Sequence, residues 1–531
     1  MSTIEALAFQ ARPNANEANV ASPSAEPLAL NAAVYILFCV LSVIPFALVA
    51  QPPIVDFANH AARLDMACSM ADPAVAAMYR YHLGIIPNLA IDLVNVPLCG
   101  LMGPSAVLRS VVIVALMAIY GASWFIQRRL FERSNAFLLL MPAISFNLVT
   151  TMGYINFLAG IGILMIMIAL AIRHDQKLRS LLAIGNIGGA ILFFCHIFAL
   201  IIGLIFFFGW FLRGRPFEVR RVVTASVKTA AMFALPLLLI PFVAESGAEL
   251  AVSYDGKIRM LFALFMAQHS QTDIYGVLLL MPLWLAFRFG PTTIHPSFRL
   301  PLLLVTLYVL IVPNQLMDAV DIDARSFVAL AYLMLAAVSP LVRDKRVSSG
   351  LMAGAAALIA LHLYIAATSW VQFSRNVDEF RNATAILPEH AKVLSSMGDG
   401  TRSPPADRLT YSHLVSYATI DRRIFNPLEF TGVGMQPLSS VAPYAAFDVS
   451  AALPYSGNLM LRLKNPDRAL EKKAIKYHAD FAVRWPQHFD YIIYYHFGGK
   501  PNFDPDALNL IRNGSFFSIL AVKPNSAIPL H

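Results

Sequence analysis

Apolar residues occur in long blocks along most of the chain, and short polar or basic segments separate the blocks. A block of about 17 to 25 residues is long enough to cross the hydrocarbon core of a bilayer as a helix. The blocks recur from residue 29 to residue 368, and the sequence beyond them has an ordinary globular pattern. The pattern therefore predicts a polytopic α-helical membrane region followed by a folded polar domain.

Composition supports this division. Of the 531 residues, 58% are hydrophobic and only 14% are charged, which excludes a soluble globular fold for the whole chain. Residues 1–28 are rich in Ala, Asn, Ser and Pro and lack the basic start and the cleavage site of a signal peptide. We expect a disordered cytoplasmic tail at 1–28, a transmembrane domain at 29–368 and an extracytoplasmic domain at 369–531.

Lysine and arginine are concentrated in the short loops at 128–133, 173–179, 213–221 and 343–346. Cytoplasmic loops carry such clusters, so the net charge of +8 is explained without nucleic acid as a partner. This orientation makes residues 51–105 one long first periplasmic loop with juxtamembrane helices at 87–103. It predicts about 11 spans and a C-terminal domain outside the membrane. The expected spans are 29–50, 106–126, 135–152, 156–172, 181–195, 197–212, 224–245, 275–290, 300–316, 326–342 and 348–368.

The apolar run at 181–212 is too long for one ordinary span and short for two. Splitting it at His196 keeps the basic loops on both sides in the cytoplasm. A single long tilted helix is the alternative, and it would invert the orientation of everything downstream.

Ionisable residues cluster directly after the first span, in the sequence Asp56-Phe-Ala-Asn-His-Ala-Ala-Arg-Leu-Asp65. In a helix Asp56, Asn59, His60 and Arg63 lie within one arc, so they can face a common substrate. The alternative is that Asp56 caps this helix and pairs with a neighbouring cation. We expect a periplasm-facing pocket, to which further outer residues contribute. The other candidates are Asp65, Asp92, Asn156, His196, Lys257, Arg259, Asp323 and Arg325.

Several of these residues also have structural interpretations. His196 between two apolar half-spans is typical of a hydrogen-bonded structural histidine. Asp323 and Arg325 can form an ion pair that anchors a loop. Lys257 and Arg259 can extend toward lipid headgroups. Cys68 and Cys99 share the first outer loop, and a disulfide between them stays open.

The chain resembles the GT-C superfamily of membrane glycosyltransferases, in a little-characterised bacterial branch. The layout carries the resemblance, together with Pro87-Asn-Leu-Ala-Ile-Asp-Leu93, Gly153-Tyr-Ile-Asn-Phe157, Cys195-His-Ile-Phe198 and Asp323-Ala-Arg325. It implies transfer of a sugar from a polyprenyl-phosphate donor to a lipid, glycan or protein acceptor on the periplasmic face of the bacterial inner membrane, for assembly of the cell envelope.

The resemblance also implies roles for individual residues. Asp56 matches the carboxylate that acts as base toward the acceptor hydroxyl. The charge that develops on the leaving phosphate requires Arg63, Lys257, Arg259 or Arg325, which the sequence does not rank.

One departure from the family concerns the second acidic residue. Many members carry two acidic residues adjacent or one apart in this loop, but Phe57 and Ala58 follow Asp56 here. A second carboxylate would come from Asp65 or from residues 318–323. His60 is a further candidate base, and with Asp56 a candidate ligand of a divalent cation; no cofactor is predicted with certainty.

The domain at 369–531 is expected to be α/β, with helices at 371–387 and 467–477 and strands at 491–495 and 516–522. The loop at 409–417 and the aromatic residues around Trp485 and His488 are candidates for stacking on a saccharide, or else belong to the core. The sequence lacks a glycine-rich phosphate loop after a strand, which disfavours a nucleotide site.

Two other functions remain open. A transporter or flippase is expected to place ionisable residues in the middle of several spans, where most spans here have none. A non-catalytic scaffold of polysaccharide assembly would tolerate neutralisation of Asp56.

Overall fold

The computed structural model describes residues 30–214, 218–243, 252–255, 257–264, 292–316, 319–340, 345–398, 406–431, 436–449, 454–476, 480–498 and 504–524. Helices dominate up to residue 384, and most strands come later in the chain. The α-helices in the first part are α1 Ala32–Leu48, α2 Phe57–Cys68, α3 Pro73–Ala76, α4 Ala90–Asn95, α5 Pro104–Phe131, α6 Leu140–Ala143, α7 Leu148–Met152, α8 Ile155–Arg173, α9 Leu178–Cys195, α10 Ile197–Leu212, α11 Val219–Met232, α12 Ala234–Leu239, α13 Pro296–Ile311, α14 Ile322–Ala337 and α15 Lys345–Ile365.

Four of the described helices are long and apolar enough to span a membrane, namely Pro104–Phe131, Ile155–Arg173, Leu178–Cys195 and Met352–Thr384. The bent pair Val219–Met232 and Ala234–Phe242, which turns by 69°, adds a fifth if it forms one span. Shorter apolar helical segments, some of them interrupted, include Ala32–Leu48, Ala136–Met152, Ile197–Leu212 and Pro296–Ile311. The expected span at 275–290 lies outside the described residues.

The predicted span at 135–152 is not one continuous helix. A 3-10 turn at Ala136–Leu139 leads into α6, and α7 starts anew after Asn147. The side chain of Asn147 accepts hydrogen bonds from the backbone N–H groups of Val149 (2.9 Å) and Thr150 (3.3 Å), which caps the new helix. The break turns residues 153–154 toward the first outer loop.

The predicted break at His196 is confirmed within the helical part of the structure. Here α9 ends at Cys195 and α10 begins at Ile197, and His196 has an extended backbone (φ −171°, ψ 132°). Its Nδ1 accepts the N–H of Phe198 at 3.3 Å. The histidine therefore caps the second helix.

Small residues allow the apolar helices to pack closely. A Cβ atom on Gly162 of α8 would lie 3.1 Å from the carbonyl oxygen of Ala115 in α5. A Cβ atom on Gly209 of α10 would lie only 2.7 Å from Cα of Pro301 in α13. Interfaces built on small residues are typical of helices packed in membranes.

The last part of the chain forms an α/β layer. Its sheet has the strand order β10-β11-β9-β6-β8, in which β9, β6 and β8 run parallel and β10, β11 and β9 antiparallel. The strands of the whole chain are β1 Tyr79–Tyr81, β2 Val252–Ser253, β3 Thr292–Ile294, β4 Gln315–Leu316, β5 Val338–Pro340, β6 Val393–Met397, β7 Leu438–Ser440, β8 Tyr455–Ser456, β9 Tyr491–Tyr495, β10 Leu508–Asn513 and β11 Phe517–Val522. The later helices are α16 Val371–Thr384, α17 Ala406–Leu409, α18 Val415–Arg422, α19 Gly457–Lys464 and α20 Arg468–Lys476.

Alternating residues of the central strand β9 pack on opposite faces of this sheet. Ile493 and Tyr495 join the cluster under α16 and α18, while Ile492 and Tyr494 join the cluster that contains Trp485. We call residues 371–524 the C-terminal region. It continues from α15 through a π turn at Ala366–Trp370, and α18 packs on α2. The helix that follows Asp56 is thus held between the helical bundle and the C-terminal region.

We expect Gly209→Ala to lower the thermal midpoint of unfolding, because the new methyl group meets the backbone of Pro301 and separates α10 from α13. Gly121→Ala is the matched control, since a Cβ atom there meets nothing within 4 Å and alanine favours a helix by up to about 1 kcal/mol. Melting of both variants in detergent tests this packing. An equal midpoint for the two variants would contradict it.

Candidate active site

The backbone around Asp56 is fixed by the turn that joins α7 and α8. The N–H groups of Val55 and Asp56 donate to the carbonyl oxygens of Thr151 (3.0 Å) and Met152 (3.2 Å). Gly153 follows with φ +91°, and a Cβ atom there would lie 2.9 Å from Cβ of Asp56. Only glycine combines this backbone angle with this close approach. The motif that begins at Gly153 therefore positions the acidic residue.

The Asp56 side chain is available for chemistry. It stands at the N-terminus of α2 but makes no capping hydrogen bond, and 17% of it is exposed. Burial raises the pKa of Asp56 to about 7, Arg325 opposes the rise, and Asp321 adds to it. A carboxyl group with this pKa exchanges its proton near neutral pH.

Arg325 is buried near enough to this carboxyl group to act on it electrostatically. Its guanidinium carbon lies 3.3 Å from the ring centre of Tyr154, and its Nη1 is 3.3 Å from Nε2 of His196. Its Nε has no hydrogen-bond partner among the described residues. The guanidinium also forms no salt bridge with a carboxylate of those residues. A buried guanidinium without a carboxylate partner is costly unless an anion binds it.

Asp321 is the second carboxylate near Asp56. It stands at the N-terminus of α14 with φ +55°, and its Oδ2 accepts the hydroxyl of Tyr154 at 2.9 Å. Asp65, the alternative from the first outer loop, instead pairs with Arg423 at 2.6 Å. The chain thus brings its second acidic group from residues 318–323, although Asp318 lies outside the described residues.

Lys257 and Asp323 neutralise each other. Nζ of Lys257 lies 3.7 Å from Oδ2 of Asp323 and donates to the carbonyl oxygens of Val309 and Val312. The alternative of an Asp323–Arg325 ion pair is not found in the described contacts. Arg259 lies in the 3-10 helix Lys257–Phe262, and its side chain is outside the described residues.

Arg63 is also neutralised within the protein. Its guanidinium binds both oxygens of Asp92, at 3.1 Å and 2.8 Å, and both side chains are 0% exposed. Gln436 accepts a further hydrogen bond from Arg63, and the hydroxyl of Tyr81 donates to Asp92 at 3.3 Å. This pair fastens α2 to α4 and is not free to bind a phosphate.

The disulfide between Cys68 and Cys99 fastens the same two parts of the first outer loop. Asn156 joins this loop to α8, because its side chain accepts the N–H of Ile91 (2.9 Å) and donates to the carbonyl oxygen of Asn88 (2.7 Å). Both contacts are structural. They hold the loop against the start of α8, where the Gly153 turn meets Asp56.

His60 is bound to other groups of the protein. Its Nε2 donates to the carbonyl oxygen of Gly153 at 3.1 Å, and its ring packs edge-on against Phe430. Burial holds the pKa of His60 well below its usual range. Among the described residues no three His, Cys, Asp or Glu side chains are grouped to hold a metal ion. The divalent cation stays a prediction.

Sequence reasoning did not select His413 for catalysis. Its Nε2 lies 3.6 Å from Oδ1 of Asp56, and its Nδ1 is 2.9 Å from Nδ2 of Asn59. The loop at 409–417, for which the sequence left saccharide stacking and the core as alternatives, contains this histidine. Trp485, in contrast, is buried and donates to the carbonyl oxygen of Met460 at 2.8 Å, which places it in the core.

No protein-family model and no curated protein sequence matches the chain. The chain is similar to two crystal structures of ArnT from Cupriavidus metallidurans. One is in the apo state (TM-score 0.47, 10% identity) and the other is bound to undecaprenyl phosphate (TM-score 0.46, 11% identity). Each match covers 93% of this chain and 99% of the ArnT chain. It is also similar to an oligosaccharyltransferase from Archaeoglobus fulgidus in complex with Zn and sulfate, with a TM-score of 0.37, 12% identity, and coverage of 87% of this chain and 68% of that chain.

These neighbours are GT-C proteins. The sequence motifs of this chain resemble the same superfamily. With TM-scores below 0.5, the GT-C likeness carries no information on substrate or residue roles, which rest on the side chains of this chain.

We expect Arg63→Met to destabilise the protein by about 3 to 5 kcal/mol, because it leaves the Asp92 carboxylate buried and unpaired. The double variant Arg63→Met with Asp92→Leu should recover most of that loss. Thermal melts of both variants and the wild type measure the difference. A double variant as unstable as the single one would show that Arg63 contributes by more than pairing with Asp92.

Proposed function

We propose that this protein is a membrane glycosyltransferase that moves a sugar from a polyprenyl-phosphate donor to a lipid, glycan or protein acceptor on the periplasmic face. One observation carries the proposal: Asp56, with a pKa near neutrality, shares a buried cluster with Arg325, a guanidinium without a salt-bridge partner among the described residues. A carboxyl group that titrates near neutrality, within the electrostatic influence of a cation without a salt-bridge partner, suits a reaction that deprotonates a hydroxyl and releases a phosphate.

Asp56 acts as the base in this reaction. The acceptor oxygen attacks C1 of the sugar while the ionised Asp56 carboxylate takes the hydroxyl proton. The bond between C1 and the phosphate oxygen breaks, and its electron pair leaves with the polyprenyl phosphate. Partial burial suits Asp56 to this role, since a strongly acidic carboxylate would be too weak a base.

Arg325 stabilises the leaving phosphate. Of the four cations that the sequence offered, Arg63 is bound to Asp92 and Lys257 to Asp323. Arg325 lies on the ring of Tyr154 and is buried, so little side-chain freedom is lost when a phosphate binds. The donor's polyprenyl chain and the identity of the acceptor come from the sequence resemblance alone.

The topology belongs to the same proposal. We infer about 11 spans in a bacterial inner membrane, with residues 51–105 and the C-terminal domain in the periplasm. Exposed apolar side chains on α1 and α13, such as Ile36 (58% exposed) and Leu310 (57% exposed), suit contact with lipid. Asp56, Arg325 and His413 lie together, which requires the first outer loop, the start of α14 and the C-terminal region on one side of the membrane.

We expect Asp56→Asn and Arg325→Gln each to abolish transfer, because the first removes the base and the second the phosphate ligand. Mass spectrometry of envelope glycolipids and glycans from a deletion strain carrying each variant tests this, with wild type as reference. Asp255→Asn is the matched control, an exposed acidic residue of another outer segment. The missing mass in the deletion strain identifies the sugar. Full restoration by Asp56→Asn would favour a non-catalytic scaffold instead.

The reaction rate should rise with pH and reach half of its maximum at about pH 7. The reason is that only ionised Asp56 accepts the proton, and burial raises its pKa to about 7. Initial rates of the purified protein, measured from pH 5 to 9 with the donor identified above, test this expectation. A rate that is constant across pH 6 to 8 would exclude Asp56 as the titrating base.

A further inference from the structure

We propose that a buried chain of hydrogen bonds from the C-terminal region sets the tautomer of His413, so that its Nε2–H faces Asp56. The positioning residues are Asn426, Ser416 and Asn59, with Glu429 as the anchor at the far end. This assignment rests on the proposed role of Asp56, which His413 orients. It adds a function for the C-terminal region, which supplies part of the machinery around the base.

The direction of each hydrogen bond follows from the fixed backbone groups at the far end. The N–H of Leu428 donates to Oδ1 of Asn426 at 3.1 Å, which identifies that atom as the oxygen of the amide. The Nδ2 of Asn426 therefore donates, to Oε1 of Glu429 at 3.0 Å and to Oγ of Ser416 at 3.4 Å. Glu429 also accepts the hydroxyl of Thr419 at 2.7 Å.

The same logic orients Asn59. Its Nδ2 lies 3.1 Å from the carbonyl oxygen of Leu428, which can only accept, so Nδ2 is the amide nitrogen. The hydroxyl of Ser416 then donates to Oδ1 of Asn59 at 2.8 Å. Rotation of the amide would bring two oxygens together at Leu428, so the arrangement has one favourable orientation.

The orientation of Asn59 determines the tautomer of His413. Nδ2 of Asn59 donates to its Nδ1 at 2.9 Å, so Nδ1 carries the lone pair. Burial lowers the pKa of His413 to about 4, so the neutral ring holds its single proton on Nε2. That nitrogen lies 3.6 Å from Oδ1 of Asp56. One unbroken series of donors therefore runs from Asn426 through Ser416 and Asn59 to His413 and ends at Asp56. The other charged neighbours of Asp56 are Arg325 and Asp321.

The side chains of this hydrogen-bond chain are almost completely buried. Asn59 and Ser416 are 0% exposed, and Asn426 and Glu429 are 1% exposed. Water is not available to replace a missing partner in such surroundings, so each polar group depends on the next. The opposite tautomer of His413 would present a lone pair to the Asp56 carboxylate and raise the pKa of that group.

The test measures the protonation of Asp56 directly. Carbodiimide reacts with protonated carboxyl groups, so labelling of the Asp56 peptide in the purified full-length protein, quantified by mass spectrometry from pH 5 to 9, gives a midpoint that needs no transfer activity. His413→Asn removes the donor next to Asp56, and Ser416→Ala releases Asn59. We expect both to move the midpoint upward by about one pH unit, because an ionised carboxylate loses a donor.

Two further variants serve as controls. His413→Gln places an amide N–H near the position of Nε2 and should return the midpoint toward that of wild type. Ser412→Ala removes a buried hydroxyl that has no partner among the described residues, so the midpoint should stay unchanged. Melting curves confirm that each variant is folded.

The outcomes separate the positioning chain from the proposed function. Unmoved midpoints in folded His413→Asn and Ser416→Ala would overturn the chain, whatever the transferase assay shows. Shifted midpoints support it even if no transfer is detected, in which case the proposed function fails alone. If transfer is detected, the variants should lower kcat with little change in the KM of the donor, because His413 orients the base and leaves Arg325 untouched.

Discussion

The cost of burying charge governs how this molecule is built. Several buried or half-buried cations meet a carboxylate directly, among them those of the pairs Arg63–Asp92, Lys257–Asp323 and Arg423–Asp65. Each pair offsets desolvation and joins two segments that are distant in the sequence. Within the described residues, Asp56 does not pair with a lysine or arginine and Arg325 does not pair with a carboxylate. The site is therefore recognised by which charges the fold leaves unsatisfied, rather than by where charges are most numerous.

The four short motifs have a common structural basis. Gly153 packs against Asp56, and the ring of Tyr154 contacts the guanidinium of Arg325. The Asn156 side chain donates to the backbone carbonyl of Asn88. His196 caps α10 with one ring nitrogen and contacts Arg325 with the other. The motifs thus describe the scaffold of one cluster. The structural and functional interpretations of His196 are both consistent with this position, since one side chain serves the helix and the cluster together.

The sequence predicted those parts of the fold that depend on local pattern. Apolar blocks located most helices, and the break at His196 was predicted because its flanking basic loops must share a side. The helix expected at 135–152 is interrupted because Asn147 competes for the backbone and starts a new helix. The spacing of Asp56, Asn59, His60 and Arg63 predicted that these side chains share one face of a helix, but not the groups that they contact. Those are protein groups such as Asp92 and His413, which no local pattern reveals.

The position of His413 shows that the C-terminal region contributes to the surroundings of Asp56. This residue is 354 positions from Asn59 in the sequence, yet the two side chains are in contact. The continuous helix Met352–Thr384 leads from the bundle into the C-terminal region, and Arg423 fixes α18 against α2 through Asp65. A saccharide-binding module on a flexible linker would need neither contact. The geometry instead suits a region that completes the surroundings of Asp56, so its packing on α2 and the environment of that carboxyl group are parts of one requirement.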